Sequence, residues 1–320
     1  MKKTLRRQRG VAIITALLLT TLSVTIVASL FWQQQVQVRS MENQRLHLQT
    51  KWILRGALDW ARLVLRQDGI DNRFFTSLSA VWNTPLAETR LDQYIERERV
   101  EGEIFDATLS GRILDATSRY NLTNLSEGPA VSMENVIIFR RLLVNLQVDP
   151  ALALRTAVAV AAGKPPGMVP VDQPQPPARS TVPIGLTGID DLLSVQGYTP
   201  EVVDKLREYV IVLPEPTPVN VNTAKAEVIA ALAEGFSVSQ ANALVSRREK
   251  AYYRQRPDFT AQLFGYNGPP LEEKTYDVKS EWFIVVSRVR LDRAALDAEA
   301  LVNRKLDDQV LTRTVWVRQN

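Results

Sequence analysis

An uncharged, apolar run close to the N-terminus constrains this 320-residue chain more than any other feature. It covers residues 11–32 and contains no charged residue, glycine or proline. Its six serine and threonine hydroxyls can bond back to the preceding helical turn. A helix of this length extends roughly 33 Å, enough to cross a bilayer core of about 30 Å. The run therefore predicts a transmembrane helix, with Trp32 placed as an anchor at its membrane interface.

Positive charge in front of the run predicts its orientation. The first ten positions hold no acidic residue and five basic ones, namely Lys2, Lys3, Arg6, Arg7 and Arg9. The positive-inside rule then places the N-terminus in the cytoplasm and the 288 residues after the run on the other side. Without these five, the 39 basic side chains of the whole chain fall to 34, against 35 acidic ones. The basic excess belongs to the N-terminal tip, so the body has no surplus of the kind that binds nucleic acid.

A cleavable secretory signal is the alternative explanation of the same run. Residues 27–29 are small enough for a cleavage site, which would give a mature chain beginning near Leu30. The apolar run is longer than the usual core of about 7–15 residues, however, and it continues through Trp32. No glycine or proline follows until Gly56, which predicts that the helix continues as a stem over residues 33–67. Candidate packing positions on this stem are Val36, Val38, Met41, Leu46, Trp52, Ile53, Ala57, Trp60, Ala61 and Val64.

Residue types that common enzymes require are scarce. The chain has no cysteine, which excludes disulfides and thiolate metal sites, and one histidine, which excludes a zinc site with several histidines. This residue, His47, lies in a polar stretch of the stem and is expected on the helix surface. Neither a phosphate-binding Walker A loop nor a glycine-rich dinucleotide motif is present. Paired acids such as Glu272–Glu273 and those at 307–308 are expected to be solvated, so the sequence predicts a protein without catalytic residues.

The body of the chain predicts strands on both sides of a long helical segment. Alternation around Ser110–Gly111 predicts a hairpin formed by residues 103–109 and 111–116. Near the C-terminus, residues 276–291 and 310–318 alternate, with room for a further strand from Ala298 to Lys305. Residues 130–162 are predicted to be helical, and two helix-turn-helix units follow between 189 and 248. Expected turn or cap residues are Asn121 and Asn124, Thr199 before Pro200, Asn222 or Thr223, and Ser237 or Ser239.

The order of these elements predicts an α+β fold. A long N-terminal helix would pack on a small antiparallel sheet, and a large all-helical domain resembling helix-hairpin-helix modules would be inserted into that sheet.

The N-terminal residues also carry a family resemblance. Arg6-Arg7-Gln8-Arg9-Gly10, followed directly by the apolar run, resembles the class III signal of type IV pilin-like proteins. In that class a prepilin peptidase cleaves after the glycine, here Gly10, and methylates the new N-terminus, here Val11. The fifth mature position usually holds glutamate, whereas this chain has Thr15. Lack of that glutamate is a feature of the GspK family, the minor pseudopilins K of type II secretion systems, which the chain resembles along most of its length.

The resemblance implies a specific role. Members of this family are minor pseudopilins at the tip of the pseudopilus, where they help initiate its assembly for export of folded proteins across the outer membrane. It implies a single-pass protein of the bacterial inner membrane with a cytoplasmic N-terminus and a periplasmic C-terminal domain. Expected partners are the I- and J-type minor pseudopilins, the major pseudopilin and the inner-membrane assembly platform, with the prepilin peptidase as processing enzyme. The implied segments are a leader (1–10), transmembrane helix (11–32), stem (33–67), first part of the pilin-like domain (68–120), inserted helical domain (121–270, with a Pro-rich loop at 163–183) and C-terminal strands (271–320).

Calcium is a further expectation that the resemblance raises. Relatives can bind Ca²⁺ through acidic residues in and beside the insertion, which requires several clustered oxygen ligands. The acidic stretch expected after the first insertion helix is replaced here by Ala157–Ala162, and the pairs near Asp68 and at Asp190–Asp191 are expected at a helix end and a helix start. Ca²⁺ therefore stays open, and no metal ligand or cofactor is assigned.

A membrane-anchored DNA receptor is the alternative function. Helix-hairpin-helix units often bind the DNA backbone through two glycines whose bare amides reach a phosphate. The turns here, at Gly197 and Gly235, have one glycine each, and the nearby basic cluster consists of Arg247, Arg248 and Lys250. This pattern favours a packing or interface role, with no nucleic acid as partner.

Overall fold

The fold is built on one helix of 61 residues, α1 (Val11–Asp71). The computed structural model describes residues 11–92, 106–164, 183–307 and 309–319. The predicted leader with Gly10, the first residues of the predicted hairpin, most of the Pro-rich loop and residue 308 lie outside them. The predicted long N-terminal helix is confirmed, and it ends at Asp71, later than the expected end of the stem at 67. It continues because Asp68 and Gly69 are buried against the sheet.

Five antiparallel strands form the sheet on which α1 packs. They are β1 (Leu86–Arg90), β2 (Ala107–Asp115), β3 (Trp282–Leu291), β4 (Ala294–Leu306) and β5 (Val310–Gln319), hydrogen-bonded in that order. The further strand expected from 298 to 305 is present and longer. The first and second strands come from before the insertion and the other three from after it, so the central pairing of β2 with β3 closes the sheet across the inserted domain.

The hairpin predicted around Ser110–Gly111 is wrong. β2 passes through both residues without a turn, and Gly111 lies opposite Ser287 of β3. A Cβ atom at Gly111 would come within 2.8 Å of the backbone oxygen of Val286. The glycine is therefore explained by close approach of two strands.

An apolar core lies between α1 and the sheet, and strands β2, β3 and β4 contribute most of its residues. Trp82, which belongs to a short 3₁₀ helix (Val81–Asn83), packs edge-on against Phe283 with 5.3 Å between ring centroids. Full burial of a large apolar side chain contributes about 1.5–3 kcal/mol. The buried residues of this core are Leu54, Ala61, Leu65, Trp82, Ile113, Phe283, Val285, Val289, Leu296, Ala298, Ala300 and Val302.

The inserted domain has a core of its own, formed by residues between Tyr120 and Val278. Its helices are α2 (Met133–Asn145), α3 (Leu152–Ala162), α4 (Pro200–Leu206), α5 (Ala226–Leu232), α6 (Val238–Arg248) and α7 (Arg256–Thr260). Short 3₁₀ helices cover Ala116–Ser118, Leu122–Leu125 and Ile189–Ser194. The helical stretch predicted over 130–162 is thus two helices, separated by a turn in which Gln147 has a φ of 55°.

Three two-stranded pairs show that the insertion is not all-helical. Tyr120–Asn121 pairs with Val210–Ile211, Ser126–Glu127 with Ala130–Val131, and Val219–Asn220 with Tyr276–Asp277. The strand predicted over 276–291 is therefore divided. Its first two residues pair within the insertion, residues 278–281 belong to neither strand, and residues 282–291 form β3.

Two of the predicted helix caps are confirmed and one pair is wrong. The Thr199 hydroxyl accepts a hydrogen bond from the Val202 amide at the start of α4, and the Ser237 hydroxyl accepts one from the Gln240 amide in α6. Neither Asn222 nor Thr223 caps α5, which begins at Ala226. Both side chains are buried in longer-range hydrogen bonds.

The two asparagines that open the insertion are turn residues, as expected, and they also bridge segments. The Asn121 side chain accepts a hydrogen bond from the Thr123 amide at the start of the 3₁₀ helix and another from the Leu213 amide, 92 residues away. The Asn124 side-chain amide donates a hydrogen bond to the Thr217 carbonyl and accepts one from the Thr217 amide.

Candidate assembly interface

The first half of α1 is exposed, and the first described side-chain contacts of this helix with the sheet are those of Glu42 and Asn43 with Arg293. Every residue from 11 to 45 is exposed, and no charged residue occurs in this segment before Arg39. Val11 is 57% exposed and Trp32 is 71% exposed, although both are large apolar side chains. Among the described residues, α1 is the one helix long and apolar enough to cross a membrane. An uncovered apolar surface of this length requires lipid or other apolar helices around it.

Hydroxyl groups in this segment are satisfied within the helix. The Thr15 hydroxyl lies 3.0 Å from the carbonyl oxygens of both Val11 and Ala12. Those of Thr20, Thr21, Ser23 and Thr25 likewise donate to carbonyls one turn earlier. The expected back-bonding is therefore present for these five of the six hydroxyls in residues 11–32. Position 15 itself carries no charge, and no charged residue lies between 11 and 38.

The stem carries two opposite apolar faces. Leu54, Ala61 and Leu65 face the sheet and are buried. At about 100° per residue, a second set falls within about 60° on the opposite side of the helix. This outer stripe is exposed by 54–68% and consists of Met41, Leu48, Trp52, Leu63 and Ile70.

The predicted packing positions divide between these faces. Ala61 is buried, and Leu46, Ile53, Ala57 and Val64 are half-buried. The remaining five candidate packing positions are exposed in this chain; these are Val36, Val38, Met41, Trp52 and Trp60. They leave apolar surface uncovered on the stem.

A buried polar cluster joins the inserted domain to the sheet. Asp115, at the end of β2, accepts hydrogen bonds through one carboxylate oxygen from the Thr117 amide and hydroxyl, both at 2.8 Å. Its other oxygen accepts from the Thr223 hydroxyl at 2.6 Å, the Asn220 amide at 3.0 Å and the Ser280 hydroxyl at 2.5 Å. All five residues are buried. The carboxylate thus ties segments more than 100 residues apart, and we call this cluster the joint.

Arg304 extends the joint to the stem. Its fully buried guanidinium donates to the Asp68 carboxylate at 2.5 Å, to the Leu65 carbonyl at 3.2 Å, to the Thr76 hydroxyl at 2.9 Å and to the Ser280 carbonyl at 3.0 Å. Burial lowers the pKa of Arg304, and the Asp68 carboxylate opposes that shift. The joint and Arg304 together hold the inserted domain, which we also call the head, in a fixed position on the sheet and the stem.

Sequence reasoning missed the joint, although one signal was present. Alternate residues of β4 that face α1 are apolar and buried, and Arg304 falls in phase with Ala300 and Val302. A charged residue in phase with buried ones indicates a buried partner of opposite charge. Nothing local identifies that partner as Asp68, which lies 236 residues away.

The basic cluster near the second hairpin is not arranged to bind phosphate. Arg248 is buried, and its guanidinium donates to the Val221 carbonyl at 2.6 Å. Burial lowers the pKa of Arg248 to about 10. Arg247 lies over the Phe264 ring at 4.9 Å and contacts Gln262. This geometry disfavours DNA binding at the hairpin.

Metal ligands do not converge among the described residues. No group of three or more histidine or acidic side chains there is placed to hold a metal ion. Asp190 pairs with Arg207, and the Asp191 carboxylate accepts hydrogen bonds from the Thr187 and Gly188 amides. These two carboxylates are bonded to protein donors and do not converge on a common point for Ca²⁺. His47 lies exposed on the stem.

Comparison with known proteins gives a consistent result. Two family models, both described as type II secretion system protein K, match residues 118–215 and 219–279. A type II secretion system protein K from Pseudomonas aeruginosa is 31% identical over 307 residues, covering 89% of this chain and 86% of the relative. One from Pectobacterium carotovorum is 26% identical over 319 residues, covering 93% of each.

The fold itself is similar to a solved one. A chain in the crystal structure of the GspK–GspI–GspJ complex from enterotoxigenic Escherichia coli superposes with a TM-score of 0.63 at 17% identity. The match covers 88% of this chain and 99% of that chain.

Proposed function

The chain belongs to the type II secretion system protein K family, a family of minor pseudopilins, and we propose that it occupies the tip of the pseudopilus and helps start its assembly. Through this it would contribute to export of folded proteins across the outer membrane. It would be held in the inner membrane by residues 11–32, with the head in the periplasm, and would act without catalysis.

Thr15 is the observation that carries the tip position. An intramembrane glutamate is costly unless it meets a cation, and in a pilin-like filament the α-amino group of the neighbouring subunit supplies one. The Thr15 hydroxyl is already bonded to the carbonyls of Val11 and Ala12 and carries no charge. A subunit of this kind cannot make that contact with a subunit ahead of it, so it fits where none lies ahead.

The head supports the same position. The inserted domain has a separate core between Tyr120 and Val278 and is fixed to the sheet by the joint. A bulky head held rigidly on the stem would obstruct a helical lattice if it were repeated at every position. At the tip it meets no subunit above.

Other minor pseudopilins are the proposed partners. In the similar solved structure, GspK forms a complex with GspI and GspJ. By analogy, I- and J-type subunits would pack along the outer stripe and the exposed half of α1. Nucleic acid is not a proposed partner, because Arg248 is buried and bonded to Val221.

The test is to locate and count the head in pseudopili. A tag on the full chain, imaged by immunogold in sheared pseudopili, is expected at one end, with at most one copy per filament. Label along the shaft would contradict the tip position. Thr15→Glu should lower secretion, since the carboxylate would lack its cation, whereas Thr15→Ser should not; equal secretion by both variants would remove Thr15 as the reason.

A partner assay separates this proposal from the DNA receptor. The full chain in detergent should retain I- and J-type subunits of the same bacterium and should not retain duplex DNA at about 0.15 M salt. Retention of DNA without either subunit would favour the receptor instead.

A further inference from the structure

A notch lies on the outer side of the stem, where Trp52, Gly56 and Trp60 follow one another at a spacing of one helical turn. Gly56 has no atom within 4 Å of the position a Cβ would take. Trp52 is 68% exposed and Trp60 is 53% exposed. Glycine in a helix interior is destabilising, and here no contact within the chain explains it. Gly56 therefore leaves bare helix backbone between two exposed tryptophans, where a bulky side chain of a partner can approach closely.

A basic ridge runs beside this notch. Lys51, Arg55, Arg62 and Arg66 fall within about 60° of one another on the helix, next to the outer stripe. Arg62 pairs with Asp59 and donates to the Thr312 carbonyl. Lys51, Arg55 and Arg66 form no ion pair with any described residue. The Arg55 guanidinium lies 5.8 Å from the centroid of the Trp52 ring, which extends the ridge to the edge of the notch.

The membrane surface is too far away to account for this ridge. Trp52 follows Trp32 by 20 residues, which corresponds to about 30 Å along the helix. Charges in solution are screened over about 8 Å at physiological ionic strength. The ridge would therefore lie beyond the reach of lipid headgroups when α1 stands across the bilayer.

A second copy of the chain fits this surface poorly. Packing two such stems side by side would bring basic ridge against basic ridge, and like charges across an interface are unfavourable. A partner that carries carboxylates beside an apolar side chain would match both features.

We propose that the notch and the ridge together bind the stem helix of a different pilin-like subunit. That helix would insert one large apolar side chain over Gly56, between Trp52 and Trp60, and would present acidic residues to Lys51, Arg55 and Arg66. The inference rests on the proposed function, because only assembly beside other pilin-like stems would place such a helix here. It adds to it the surface and the charge of the partner.

Gly56→Leu gives the sharpest test, since stability and binding should change in opposite directions. Leucine is a better helix former than glycine, and a Cβ atom at this position has no heavy atom within 4 Å, so the melting temperature of the full chain in detergent should stay equal or rise. The dissociation constants for full-length I- and J-type subunits of the same bacterium, measured separately, should rise at least tenfold for one of them. Ser239→Leu is the matched control, because it adds the same side chain at an exposed position of α6, away from the stem, and it should change neither value.

Charge reversal tests the ridge. Arg55→Glu with Arg66→Glu should weaken binding to the same subunit at least tenfold at low salt, while Lys305→Glu with Arg313→Glu, two exposed changes on the sheet, should not. Wild-type binding should also weaken as salt increases.

Each other outcome overturns a defined part of the account. Unchanged binding by both notch and ridge variants, beside normal wild-type binding, would refute the inference and leave the proposed function intact. Absence of wild-type binding to either subunit would count against the proposed partners. Homodimers cross-linked through Trp52→Cys would show a second copy at this face, and ridge-dependent binding to anionic vesicles would show lipid there; both would refute the proposed partner.

Discussion

Arg304→Met should be among the most damaging single substitutions in the sheet. It removes a fully buried guanidinium that bonds Asp68, Leu65, Thr76 and Ser280. Asp68 would then be a buried carboxylate without its cation. Breaking a buried ion pair in this way costs about 3–5 kcal/mol, a large part of the stability of an ordinary domain. The free energy of unfolding should fall by that amount.

A double substitution tests whether the pair itself is responsible. Asp68→Asn alone leaves the buried Arg304 guanidinium without its counter-charge, so it should likewise cost about 3–5 kcal/mol. Combined with Arg304→Met, it removes both charges, so the double variant should be more stable than the sum of the single effects predicts, by at least about 1 kcal/mol.

Urea unfolding of the full chain in detergent measures these effects. Intrinsic tryptophan fluorescence can follow unfolding, because two of the six tryptophans, Trp82 and Trp282, are buried in the folded chain. Lys305→Met is the matched control: the neighbouring residue on β4 is exposed and should change stability by less than about 0.5 kcal/mol. A loss below about 1 kcal/mol in Arg304→Met, or additive effects in the double variant, would refute the assignment of this pair as a stabilising contact.

Three further predictions concern the joint, the inserted domain and calcium. Asp115→Ala leaves four buried donor residues without their acceptor, so it should cost at least about 3 kcal/mol and increase amide exchange in the head; native-like exchange would contradict the role of the joint. Burial raises the pKa of Tyr198 to about 12, so between pH 10 and 12 the unfolded chain loses this proton while the folded chain keeps it. Stability should therefore fall by up to about 2.7 kcal/mol across this window, and Tyr198→Phe should make the fall shallower; an unchanged slope would count against it. Adding Ca²⁺ or a chelator should leave the melting temperature unchanged within about 1 °C. A larger rise with Ca²⁺ would show that the chain has a Ca²⁺ site that is not formed by the described carboxylates.

Features with a local physical cause could be predicted from the sequence. The long helix follows from an apolar run without glycine or proline and its uninterrupted continuation, and the caps at Thr199 and Ser237 follow from the residues that come directly after them. These elements depend on neighbours within one or two turns. Their prediction needed no knowledge of the rest of the chain.

Features set by distant partners could not be predicted in the same way. Gly111 looks like a turn residue until β3, more than 170 residues later, is placed beside it. Thr223 looks like a cap until its hydroxyl is found bonded to Asp115. On the stem, the sequence offers two apolar faces, and only the position of the sheet decides that Ala61 is covered and Trp52 is left outside.

The mass of the N-terminus of the membrane-extracted protein tests the central claim most directly, measured with and without the prepilin peptidase. A pilin-like subunit predicts a chain that begins at methylated Val11 when the peptidase is present and at Met1 when it is absent. An unprocessed Met1 in both cases would leave a plain single-span anchor, and a start near Leu30 would mean a conventional secretory signal. Either result would contradict the account.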